Sequence, residues 1–286
     1  MKNSTEIAFG EKIRSDYLFS SDFYEIKNWA FDFSGEHKLT KGYNDCFCIV
    51  LVRNGSFHID LASRSFNMHT GHIIVEKADY EYQMRPTTGE CSIFNFTTAF
   101  YEQMLADCNL QKSFYFSNSN ILSLLLNSSP EIDYLHHQIM SDASTVGKLE
   151  MDTLVLSLVQ QITGCISNNV LEVELPHLLR KNHIGTIERA RDYMNKRFME
   201  DISLRELATH CYVSPFHFSR IFKRFTSYSP HQYLLNVRLK HAEMLLRNTD
   251  MAVSDICFTS GFNSHDHFAA IFRQKFSQSP SQMRKK

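Results

Sequence analysis

Two hydrophobic periods divide the chain. From about Asp22 to Phe96 the apolar residues come in short runs or strict alternation, which is the period of β-strands. CFCIVLV (Cys46 to Val52) is continuous, and SFHIDL (Ser56 to Leu61) sets Phe57, Ile59 and Leu61 on one side. The turn signal Arg53-Asn54-Gly55 between them predicts a hairpin. SFNM, the turn His69-Thr70-Gly71, HIIV, YEYQM and CSIFNF follow at short intervals, as in a small antiparallel barrel or sandwich. From Ala99 the pattern becomes helical: FYEQMLADCNL, ILSLLLN, EIDYLHHQIM and KLEMDTLVLSLVQQITGCI, broken at residues 128–130 and again at Ser167–Asn169. In the helix after Lys148, Met151, Val155, Leu158 and Ile162 recur at coiled-coil spacing, which predicts either a dimer seam or packing on their own domain. VLEVELPHLLRKNH, 170–183, is interrupted by Pro176 and is the expected linker between a domain over 1–169 and another over 184–286.

The C-terminal pattern repeats. SRIFKRFTSYSP (Ser219–Pro230) and AAIFRQKFSQSP (Ala269–Pro280) align at an offset of 50, pairing Phe218 with Phe268, Phe222 with Phe272 and Ser214 with Ser264. Upstream the offset is 49, pairing Leu204, Leu207 and Ala208 with Val253, Ile256 and Cys257, so the second copy carries one extra residue in its turn. Short helix, turn and second helix, twice over, is helix-turn-helix spacing. Ser203-Leu204-Arg205-Glu206 reads as a capping box, and Ser214-Pro215 and Ser229-Pro230 as helix starts. In the first copy Phe218, Ile221, Phe222 and Phe225 form one stripe, leaving Phe216, Ser219, Arg220, Lys223 and Arg224 to be presented. The intervening HQYLLNVRLKHAEMLLRN predicts about five turns of helix, a rod between the two units.

Charge follows the same division. The chain's net charge of −1 conceals +7 from Ile184 onward and −8 before it. A basic domain beside an acidic one points to a polyanion partner for one part. Seven scattered cysteines without a C-x-x-C pair read as reduced, mostly buried thiols, and no apolar run suits a signal peptide or membrane span, so the expected setting is the cytoplasm, without membrane contact.

These residues carry a resemblance. Leu207-Ala208, Ser214, Arg220, Phe222-Lys223, Ser229-Pro230, Arg238, Ala242, Leu245-Leu246, Ile256, Gly261-Phe262, Phe268, Phe272 and Ser279-Pro280 followed by Arg284 resemble the DNA-binding domain of AraC/XylS-type transcriptional regulators. The resemblance implies an α+β chain: an N-terminal cupin-like antiparallel β-barrel with a helical appendage, which binds a small effector and dimerises, and a C-terminal all-α double helix-turn-helix. It further implies double-stranded DNA and RNA polymerase as partners, and no enzyme activity. Ser227 and Ser277 stand where the family usually has glycine, Cys257 where it has alanine, and Met283 where it has tyrosine. Asp266 and Ala270 stand where many members present a serine and an arginine, which puts base reading by the second unit in doubt.

The expected DNA contacts are therefore Ser214, Phe216, His217, Ser219, Arg220, Lys223 and Arg224 in the first unit and Ser264, His265, Asp266, Ala269, Arg273 and Lys275 in the second. Arg220 suits bidentate reading of guanine, while Lys223 and Arg224 suit phosphates. His217, His265 and His267 are phosphate donors or ordinary surface histidines. Trp29, Phe31, His37 and Tyr82 are candidates for lining an effector site or for plain core and rim. His58 stands alone in its strand, without the H-x-H that a metal-using cupin usually carries there, and His37 is distant in sequence, so neither a metal nor another cofactor is expected. Two other readings stay open: a cupin-type metal-dependent enzyme with an accessory nucleic-acid-binding domain, and a ligand-independent regulator that answers to a protein partner.

Overall fold

The fold is described from a computed structural model covering residues 13–32, 40–61, 64–85, 88–108, 110–143, 145–167 and 177–284. The chain separates into two compact units, residues 1–128 with 138–188, and residues 129–137 with 189–286. The second unit is thus discontinuous in sequence. Of the expected linker, 170–176 lies outside the described residues and 177–183 opens a helix.

The first unit is built on antiparallel strands β1 (Ile13–Ser20), β2 (Tyr24–Asp32), β3 (Thr40–Asn44), β4 (Phe47–Asp60), β5 (Ser65–His69), β6 (His72–Glu76), β7 (Tyr80–Arg85), β8 (Thr88–Phe96) and β9 (Ser123–Asn127). Their main order is β1-β2-β8-β4-β6-β9. The far half of β4 pairs instead with β5 and β7, and β7 with β3. The hydrogen-bonded path does not close among the described residues, so the antiparallel sheet is there and the expected barrel is not confirmed as a closed one.

Two sequence expectations change here. Arg53-Asn54-Gly55 does not reverse the chain; β4 runs straight through it, with a register shift between Val52 and Asn54. Gly55 has φ 78°, and a Cβ there would lie 2.3 Å from the Thr88 carbonyl oxygen, so glycine makes a bulge that turns the strand from one arc into the other. ILSLLLN, read as helical, supplies β9, in which Leu125 and Leu126 are buried against β6. A short apolar run cannot distinguish a buried strand from a helix.

The helices of this region are α1 (Thr98–Asp107), α2 (Phe114–Ser117), α3 (Pro130–Asp142) and α4 (Lys148–Ser167). Met151, Val155, Leu158 and Ile162 are at most 1% exposed. Their spacing therefore records packing inside the unit, and they are not a free dimer seam as offered above. The exposed line of α4 carries Leu149 and Leu156 instead.

The second unit holds the latter part of α5 (His177–Arg197) and then α6 (Leu204–His210), α7 (Pro215–Thr226), α8 (Pro230–Asn248), α9 (Val253–Thr259), α10 (His265–Phe276) and α11 (Pro280–Arg284). Starts are capped where the serines stand. Ser214 accepts from the His217 amide and Ser264 from that of His267, and Ser229 forms a full capping box with Gln232. Ser203 accepts from the Glu206 amide, and the Glu206 carboxylate accepts from the Tyr193 hydroxyl.

Both recognition-length helices end in left-handed serines, Ser227 at φ 64° and Ser277 at φ 57°. That conformation explains why glycine suits these positions. Ser227→Gly and Ser277→Gly should each stabilise the unit by ~1 kcal/mol, read as a rise in denaturation midpoint; a fall would show that the serine side chains contribute more than the strain costs.

Residues 129–137 complete this unit. Ile132 and Leu135 are fully buried, Asp133 pairs with Arg191 at 2.5 Å, and the Tyr134 hydroxyl meets His241 Nδ1 at 2.6 Å. Burial lowers His241 to about 4, below the ordinary histidine value of 6.5. A base depressed by folding binds fewer protons folded than unfolded, so its contribution is full above about pH 6.5 and is lost as pH falls toward 4. Acid titration of the second unit's stability should show that slope, and His241→Phe should flatten it.

Candidate nucleic-acid interface

The site is built from two copies of one motif. α6 and α7 form the first, with Leu207, Ala208, Phe218, Ile221 and Phe222 buried; α9 and α10 form the second around Ile256, Cys257, Phe268 and Phe272. The turns match as well. The Val213 amide donates to Ala208 O at 3.0 Å and the Phe262 amide to Cys257 O at 3.1 Å. The left-handed residue is Tyr212 (φ 59°) in one and Gly261 (φ 80°) in the other. At Gly261 a Cβ would lie 2.8 Å from Arg238 Nε and from Phe198 O. Arg238 itself donates to Phe198 O and Glu200 O, so this arginine holds backbone. α8 separates the motifs, with Tyr233, Val237, Leu239 and Ala242 buried on several sides, as a rod gripped by both should be.

On α7 the outward side is the one expected. Phe216 is 75% exposed, and His217, Arg220, Lys223 and Arg224 are exposed, with Ser219 half-buried. The Arg220 guanidinium lies 5.7 Å from the centre of the Phe216 ring. A cation held over an exposed ring at i and i+4 is oriented without being neutralised, which leaves its donors for base edges. Lys223 and Arg224 stand in the last turn of α7.

α10 differs. Ser264, His265, Asp266, Ala270 and Arg273 are exposed and Ala269 is half-buried, but the outward side puts a carboxylate and a methyl where α7 puts Phe216 and Arg220. His265 packs edge-on against Phe258 at 4.8 Å. Lys275 is placed differently from these residues. It occupies the position of Phe225 in the repeat, half a turn of the helical wheel from Asp266, and its ammonium bonds Glu131 at 2.6 Å and Asn236 at 2.9 Å. Lys275 is a structural cation, directed away from the presented side.

The first unit carries a cavity of about 90 Å3. Trp29 and Tyr82 line it, beside Val50, Phe57, Ile59 and Ile93. Phe31 lies in the core against Phe57, at 5.2 Å and 84°, and His37 lies outside the described residues. Sequence reasoning missed the polar lining: Lys27, Glu76 and the thiols of Cys46, Cys48 and Cys91. Alternation in the run CFCIVLV puts Cys46 and Cys48 on one side, but nothing in the sequence marks that side as a cavity wall. Burial raises the Glu76 carboxyl, which accepts from the Tyr80 hydroxyl and from Cys48 Sγ. Burial also raises Cys46 and Cys91 to about 12, so these thiols stay protonated. Among the described residues no group of three or more His, Cys, Asp or Glu is placed to hold a metal, and no helix is long and apolar enough to cross a membrane.

Two similar helix-turn-helix units on one connecting helix define a DNA-binding class of domain. Residues 207–286 match the family model described as a helix-turn-helix domain. Among curated relatives, the HTH-type transcriptional activator RhaS of Klebsiella pneumoniae (strain 342) is 32% identical over 126 residues, 41% of this chain and 45% of that one. The Msm operon regulatory protein of Streptococcus mutans is 21% identical over 92% of this chain and 95% of its own. Among solved structures, the C-terminal domain of AraT, a response regulator from Geobacillus stearothermophilus, is 30% identical, covering 35% of this chain and 84% of that one with a TM-score of 0.34. The chain spans less than half the length of the first curated relatives it matches. Residues 207–286 are thus a helix-turn-helix domain, similar in sequence to those of these transcriptional regulators.

Proposed function

We propose that this protein is a sequence-specific DNA-binding transcription regulator, not an enzyme, whose sequence reading is carried mainly by α7. The observation that supports this most is the presented side of α7: an arginine poised over an exposed phenylalanine, followed by two cations at the end of a capped helix. Arg220 reads a guanine, and Lys223 and Arg224 neutralise phosphates. The cavity of the first unit takes a small, largely apolar effector, and effector binding acts by favouring one arrangement of the chain over another. The protein works as a homodimer in the cytoplasm and engages RNA polymerase at its promoters.

Selection of bound duplexes from a random pool tests the central claim. A recovered consensus supports it, and enrichment of no sequence over the starting pool removes it. On that consensus, Lys223→Ala should weaken binding to specific and random duplexes alike and lower the salt slope by about one. A loss confined to the consensus would make Lys223 a base reader instead. A thermal-shift screen of small apolar molecules tests the effector; stabilisation by none of them favours control by a protein partner.

A further inference from the structure

We propose that residues 129–137, the start of α3, are a brace that fixes the two recognition helices relative to each other, with Glu131 and Asp133 as its positioning residues. This rests on reading α7 and α10 as the DNA-contacting helices. The segment belongs to the second unit by its packing, although some fifty residues of the first unit separate it in sequence from the rest.

The brace reaches each recognition helix from the side opposite DNA. Toward α10, the Glu131 carboxylate holds Lys275 Nζ at 2.6 Å, and Asn236 of α8 holds the same ammonium at 2.9 Å. Burial opposes the charge of Glu131, but Lys275 outweighs it and lowers the carboxyl below its ordinary value, so Glu131 is a carboxylate at neutral pH. Toward α7, Asp133 accepts from the Tyr233 hydroxyl at 2.5 Å, and the Tyr233 ring meets Phe222 of α7 edge-on at 5.4 Å and 88°. Between these grips, Tyr134 packs edge-on against Phe198 at 5.5 Å and bonds His241 on α8. One short helical segment therefore contacts α10 directly, α8 at two places, and α7 through a single ring.

Geometry gives such a brace its use. α8 has 19 residues, so at 1.5 Å per residue it separates the two units by about 28 Å. A tilt of about 5° at one end moves the other by ~2.5 Å, most of a base-pair step of ~3.4 Å. Two helices that must meet successive groove segments need their separation held more tightly than that. The sequence supplies Lys275 for the purpose at a repeat position where the first copy has Phe225.

The experiment uses the full chain and a duplex recovered from a random pool. Hydroxyl-radical footprinting of the wild type should show two protected groove segments. Glu131→Gln with Lys275→Gln removes the ion pair while keeping size and polarity, and leaves Asp133 to satisfy the buried Arg191. The expected result is a retained first segment, a blurred second one, and affinity lower by about tenfold. Exchanging the charges, Glu131→Lys with Lys275→Glu, should restore the second segment. An unchanged footprint, equal weakening of both segments, or a charge exchange that restores nothing would each overturn the brace. Recovery of no duplex at all would overturn the DNA-binding reading first, and the brace with it.

Discussion

Asp133→Ala is expected to destabilise the second unit by about 3–5 kcal/mol. Arg191 is 8% exposed, and Asp133 is the carboxylate that compensates it, pairing at 2.5 Å while accepting from Tyr233. Burial alone would depress the Arg191 guanidinium, but the facing carboxylate raises it. Removing that carboxylate strands a charge in low dielectric, whereas removing both charges need not be costly. Asp133→Leu combined with Arg191→Leu should therefore recover most of the loss, and Tyr233 keeps a partner in Asn195. Far-UV circular dichroism of the full chain reads this unit, since the single tryptophan, Trp29, lies in the first unit and its fluorescence serves as the unaffected control. A loss of less than about 1 kcal/mol for the single change would mean that the pair contributes no more than an exposed one.

That ion pair lies in the part of the molecule least legible in the sequence. EIDYLHHQIM announces a helix by its period, and the helix is there. Nothing in the period says that its first turns pack with residues a hundred positions on, because partner choice is a tertiary property. The same blindness explains α4. A 4-3-4-3 pattern names a buried side, and burial inside one unit satisfies it as well as a second chain would. Lys275 shows the same blindness: its charge made it a candidate for DNA, and nothing in the local pattern names Glu131, the carboxylate that its ammonium bonds.

The double motif was legible for the opposite reason. Internal comparison of two copies cancels what a single pattern leaves open: a position apolar in both, such as Phe218 with Phe268 or Phe222 with Phe272, is core. The one-residue offset change located the longer second turn, and both left-handed serines stand at repeat-equivalent ends. In the first unit alternation found most strands but misread Gly55, because a turn signal does not distinguish a reversal from a bulge until the facing strand is known. The cavity's polar groups come from strands far apart in sequence, and no local spacing joins them.

The two copies should also divide their labour. Arg220→Ala is expected to weaken binding to a recovered consensus by roughly 1–3 kcal/mol and to relax the preference at one base pair, because bidentate donors to guanine carry discrimination of that size. Its orientation over Phe216 implies that Phe216→Ala loses part of the same preference. α10 presents no comparable donor: Asp266 can accept from cytosine but is repelled by phosphate, and Ala270 offers a methyl alone. What remains to the second unit is the backbone, through Arg273 and the first amides of α10. A recovered site should thus be sharply defined over the groove segment met by α7 and loosely defined over the next, where flexible or A·T-rich steps suffice. Ala270→Arg should sharpen that second segment, most simply toward a guanine. Two equally sharp segments for the wild type would show that α10 reads bases after all, through Asp266 and the histidines beside it.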